Sequence, residues 1–125
     1  MNLLLDTHTV LWWLSDDPTL SDTARSAIAD PENTVFLSAV VVWEIRIKQG
    51  IGKLDLPDDF GEVLDGQRFP ELPVKVGHAH AIAGLPAVHR DPFDRMLVAQ
   101  AQVEQMTIVT RDPSIASYDV DVIVA

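Results

Sequence analysis

The chain has 125 residues, 47% of them hydrophobic, and a formal net charge of −10 from 19 acidic and 9 basic residues. That apolar content excludes a disordered chain, and the length fits one domain over residues 1–125 with a buried core. The acidic balance argues against a non-specific nucleic-acid binder with a basic face, no run reaches the ~18 apolar residues of a membrane span, and the absence of cysteine excludes disulfides and zinc–thiolate sites.

Met1–Leu5 reads as a buried strand. No basic segment or small-residue cleavage site of a signal peptide accompanies it, so a cytoplasmic location is expected. Thr7–Leu14 predicts a helix with Val10, Leu11 and Leu14 at helical spacing, broken by Asp16, Asp17 and Pro18. Ser21 reads as the N-cap of a second helix running through Ala29, and a turn over 30–33 leads to a strand over 34–37. Ser38 then caps a helix that carries Val42, Trp43, Ile45 and Ile47 and ends at Gly50. Its three successive valines suit a strand equally well. A connector over 51–57 precedes a glycine-interrupted helix over 58–67. Leu72–Val76 predicts a third strand, in which Pro73 argues for an edge or a strand start, and 77–83 reads as a short helix. The clearest helix start has Asp91 as N-cap, Pro92 at the first position and Asp94 at the third, followed by an apolar stripe of Leu97, Val98 and Ala101. Thr107–Thr110 is a fourth strand, 113–117 a helical turn and 120–124 a fifth strand. This alternation predicts an α/β fold of three layers, α/β/α, around a central parallel sheet of four to five strands.

Four acids stand where strands end or helices begin: Asp6, Glu44, Asp94 and Asp112. Residues just past the carboxyl ends of parallel strands meet in one crevice. Carboxylates gathered there repel unless a cation lies among them, and oxygen-only ligation points to Mg²⁺ or Mn²⁺. Each acid also has an ordinary reading. Asp6 is a fitting helix cap, Asp94 favours a helix N-terminus, Asp112 is a common turn residue before proline, and Glu44 sits on a solvated helix face if that face is narrow. A shared site explains all four at once. Asp91 competes with Asp94, but an N-cap directs its carboxylate at backbone N–H groups, so Asp94 is preferred. Arg95 and Arg111 lie close in sequence to these acids and are assigned to steady a phosphate. His8, His78, His80 and His89 show no metal-ligand spacing, and with no HExxH motif zinc is not expected. His8 is near enough to Asp6 to touch a substrate. Trp12, Trp13 and Trp43 read as core or interface residues.

The motifs LLDTHTVLWWL (4–14), WEIRIKQGIGKL (43–54), RDPFDRMLVAQA (90–101) and TRD (110–112) occur in this order over nearly the whole chain. Together they resemble PIN-domain ribonucleases, specifically the VapC-type toxins of bacterial type II toxin–antitoxin pairs. The resemblance implies a metal-dependent endoribonuclease with Mg²⁺, or Mn²⁺, held by Asp6, Glu44, Asp94 and Asp112. The family's hydroxyl near the last acid falls on Thr110. It further implies an RNA substrate, a cognate VapB-type antitoxin and a homodimer, with no membrane partner. Two rivals remain at this stage. An aspartyl-phosphate phosphatase needs a second Asp two residues after the first, where this chain has His8. A non-catalytic binding module would carry the acids as surface charge alone.

Overall fold

The carboxyl ends of two adjacent strands create a crevice that gathers acidic residues. The computed structural model describes all 125 residues as a five-stranded parallel sheet flanked by seven helices, the α/β/α arrangement expected. The strands are β1 (Asn2–Leu5), β2 (Thr34–Ser38), β3 (Glu71–Leu72), β4 (Thr107–Thr110) and β5 (Val122–Val124), in the spatial order β3-β2-β1-β4-β5. The helices are α1 (Thr7–Leu14), α2 (Asp22–Ala29), α3 (Ala39–Gly50), α4 (Phe60–Gly66), α5 (Val76–Ala81), α6 (Pro92–Glu104) and α7 (Pro113–Ala116).

The uninterrupted Leu3, Leu4 and Leu5 put β1 in the middle. All three are 0% exposed, as a parallel strand covered on both faces requires. Burial of each contributes roughly 1.5–3 kcal/mol. Leu4 pairs with Phe36 on one side and Ile108 on the other. The chain leaves β1 for β2 and returns on the opposite side as β4, so the order reverses at β1. In open α/β sheets such a switch point is where ligands bind.

The valine run resolves as helix. Ser38 ends β2, and its hydroxyl accepts the Val40 N–H at 3.1 Å, so it caps α3. Val40, Val41, Glu44 and Ile45 then form the buried face of α3, while Trp43, Ile47 and Ile51 stand 60%, 37% and 62% exposed. The left-handed residue that turns the chain after α3 is Gly52, at φ +75°, rather than Gly50.

The third strand differs from expectation. It covers Glu71–Leu72 and not Leu72–Val76. Pairing with β2 stops at Ser38↔Leu72 because Pro73 has no N–H and its carbonyl accepts from Gln100 Nε2 at 3.3 Å. Val74 and Val76 are consequently exposed, and Val76 opens α5. It is an edge strand, as Pro73 argued. No helix is long and apolar enough to cross a membrane.

Candidate metal centre

Asp6 follows β1 directly and is buried. Its Oδ1 accepts the Thr9 N–H at 2.9 Å, capping α1, and its Oδ2 accepts the Thr110 hydroxyl from the end of β4. Asp6 is therefore both the cap of α1 and a hydrogen-bond partner of the end of β4. The Thr110 hydroxyl oxygen also accepts the Asp112 N–H at 3.0 Å, and Asp112 Oδ1 accepts the Ser114 N–H at 2.8 Å to cap α7. One hydroxyl thus ties together the acids that follow β1 and β4.

Glu44 is not on a solvated face. It is 5% exposed and lies among the buried valines of α3. A carboxylate removed from water needs partners. Thr7 donates its hydroxyl to Oε1 at 2.6 Å, and Lys48, one turn further along α3, sits 2.6 Å from Oε2. The hydrogen bond to Glu44 raises the Lys48 pKa above its ordinary value, with the charges of Glu44, Asp91 and Asp94 adding.

At the start of α6, Asp91 Oδ1 accepts the N–H groups of Phe93 at 2.9 Å and Asp94 at 3.1 Å. Asp94 is left to face the crevice, where its Oδ2 lies 2.8 Å from His89 Nε2. Burial pushes the Asp94 carboxyl up to about 6; the hydrogen bond from His89 opposes this, and the charges of Asp91 and Glu44 add to it. The same bond raises the pKa of His89, helped by the charges of Asp94, Asp112 and Asp91. Ligand atoms of His89, Asp94 and Asp112 all lie within 4.8 Å of one another. Asp6 and Glu44 stand outside this tight triplet. They join it through Thr110 and through the field of Glu44 at Asp94. The donor set fits a divalent cation: oxygens and one imidazole converge where burial already disfavours the bare carboxylate.

The sequence profile of the PIN domain matches residues 3–121. The chain belongs to the PIN-domain family. Among solved structures, this PIN domain is similar to VapBC2 from Rickettsia felis bound to a promoter DNA fragment, with TM-score 0.76, 16% identity and 98% of each chain covered. It is also similar to DNA-bound VapBC from Salmonella typhimurium, with TM-score 0.73, 16% identity and coverage of 98% and 97%. FitAcB from Neisseria gonorrhoeae gives TM-score 0.66, 24% identity and coverage of 98% and 96%. At such identities the likeness is one of fold. No curated protein matches the chain.

Within the PIN domain, the two arginines are engaged inside the chain. Arg95 Nη1 donates to Pro86 O at 2.9 Å, His89 O at 3.3 Å and the Tyr118 hydroxyl at 3.2 Å. Arg111 donates to Ala125 O at 2.7 Å and to Thr19 O, and its guanidinium lies 5.0 Å from the Trp12 ring centroid. The geometry therefore gives no support to the phosphate-steadying role drawn from their proximity in sequence. The cation beside the acids is Lys48, which the sequence signalled by its i, i+4 spacing from Glu44. His89 carried no such signal. Its spacing from Asp94 and Asp112 has no period, in keeping with the absence of metal-ligand spacing in the sequence, and only the loop before α6 brings it to them. His8 is exposed and packs on Trp12 at 5.7 Å between ring centroids. Trp43 is an exposed residue set edge-on to Phe93, not a core residue.

Proposed function

We propose that this PIN domain, acting as one unit over residues 1–125, is a Mg²⁺- or Mn²⁺-dependent endoribonuclease and the toxin of a toxin–antitoxin pair. The observation that carries this reading is the desolvated Asp94 facing His89 and Asp112 within 4.8 Å, at the sheet's switch point beside Asp6 and Glu44. Asp94 and Asp112 would hold the ion directly, with Asp6 and Glu44 completing the acidic wall. Bound there, the ion supplies an activated water near neutral pH and offsets charge on the phosphate. The chain's own groups prepare the site. Thr110 orients Asp6 and the backbone of Asp112, and Thr7 and Lys48 hold both oxygens of Glu44. Lys48, 38% exposed, is placed to attract the phosphate backbone to an otherwise acidic rim.

The structural neighbours are toxin–antitoxin complexes, which supports a VapB-type antitoxin as partner. An apolar groove lined by Leu11, Leu14, Leu54, Leu56, Phe60 and Val63 offers area for such a chain. For a second copy, the exposed Trp43 and Ile47 on α3, with Ile51 just past its end, supply an apolar surface, which supports a homodimer. A toxin acting on the cell's own RNA would work in the cytoplasm. The test is cleavage of single-stranded RNA by the purified protein with Mg²⁺, with Mn²⁺ and with EDTA. Cleavage that needs either ion and disappears in Asp94→Asn is expected. Undiminished cleavage in EDTA would sink the mechanism.

A further inference from the structure

His89 lies in the loop ahead of α6, and its Nε2 is 2.8 Å from Asp94 Oδ2. One ligand atom each from His89, Asp94 and Asp112 fits within a 4.8 Å span. An ion that holds six ligands at about 2.1 Å sets adjacent ligand atoms about 3 Å apart and opposite ones about 4.2 Å apart. Atoms held within 4.8 Å of one another are close enough for one ion to gather them after side-chain movement of about an ångström. His89 and Asp94 are 24% and 19% exposed, so the triplet opens to solvent from which an ion can enter. The His89 backbone is braced by its carbonyl accepting from Arg95 at 3.3 Å, which ties the loop to α6.

We propose that His89 is a nitrogen ligand of the metal ion bound by Asp94 and Asp112, and that it tilts the site toward Mn²⁺ over Mg²⁺. This rests on the metal-dependent reading above. Imidazole is a softer donor than carboxylate and suits first-row transition ions, whereas Mg²⁺ favours oxygen and retains its waters. The rival arrangement keeps His89 outside the coordination shell, as a donor that only orients Asp94.

Pulsed electron paramagnetic resonance of the Mn²⁺-loaded protein separates the two, because a directly bound nitrogen modulates the Mn²⁺ signal. Nitrogen modulation is expected in the parent and should vanish in His89→Gln. Calorimetric titration should show Mn²⁺ affinity falling at least about 10-fold in His89→Gln, with Mg²⁺ affinity falling less. Mn²⁺ bound by the parent without nitrogen coordination overturns the proposal while leaving the nuclease reading intact. Equal losses of Mn²⁺ and Mg²⁺ affinity in His89→Gln also overturn it. A parent that binds neither ion, and cleaves no RNA, overturns both.

Discussion

Asp94 and His89 face each other across 2.8 Å, and both bind protons more tightly in the folded chain than apart from it. The signs agree. Asp94 has its ordinary value of 3.8 raised to about 6, so the folded state binds more protons over that interval and stability falls as pH climbs through it. The raised pKa of His89 contributes stability that is complete below 6.5 and is lost as pH rises through the folded value. In EDTA the protein should therefore be more stable at pH 5.5 than at pH 7.5, measured by urea midpoints. A flat or opposite profile would contradict the burial of Asp94. Asp91 and Asp94 separate at the same scale. If Asp94 holds the ion as proposed, Asp94→Asn should lower cleavage by at least about 100-fold, the upper end of what losing an outer-shell partner costs. Asp91→Asn should keep most activity and change stability by less than about 0.5 kcal/mol, because Asn caps helices as well as Asp. A single-turnover cleavage assay with a thermal melt of each variant distinguishes them, and a dead Asp91→Asn would reverse the assignment.

At the scale of elements, α3 is aimed by its first residue. Ser38 is 0% exposed and ends β2, caps α3, and donates its hydroxyl to Gln100 Oε1 at 2.5 Å. Gln100, also 0% exposed, reaches on to Pro73 O at 3.3 Å. Its neighbour His78 accepts the Lys75 N–H through Nδ1 at 3.0 Å, which leaves Nε2 to donate to Glu104 at 3.0 Å. Sheet end, α3, α5 and α6 are thereby joined by one polar network. Ser38→Ala removes the cap and strands the Gln100 carbonyl oxygen, so a loss of about 1–3 kcal/mol is expected. Chemical denaturation would show it as a lower midpoint with unchanged slope. No change would mean that a water replaces the hydroxyl.

For the whole molecule, crowded acid is a standing cost that the proposed cation would remove. The relief lies at Asp94, since both oxygens of Asp6 are already taken by Thr9 and Thr110. In EDTA at pH 8, Asp94→Asn should melt above the parent while being inactive, the trade-off expected where a site holds strained charge. Saturating Mn²⁺ or Mg²⁺ should raise the parent by about 2.7 kcal/mol at a hundredfold excess over Kd, and the variant far less. Parallel melts of the two proteins with and without ion check this. If Asp94→Asn melts lower and neither protein responds to metal, the shared-site reading of these acids fails.

The layered α/β fold was legible in the chain because strand and helix signals alternate, and because the Leu3–Leu5 run ahead of a polar capping residue suits a strand buried on both faces, as it proves to be. Asp91, Pro92 and Asp94 were legible too, since capping is chemistry between near neighbours. The valine run of α3 was not. Val40 and Val41 suit either period, and packing under the helix decided it. The same holds for β3, where Pro73 and its Gln100 partner end the pairing. The sequence also presented Glu44 as one acid among apolar residues. Only the tertiary structure made it the buried one and left Trp43 outside, because packing buries the face of α3 that carries Val40, Val41 and Ile45. His89 belongs wholly to the tertiary structure. A loop without period has no spacing to read, and its imidazole meets Asp94 and Asp112 only once α6 and β4 are packed side by side.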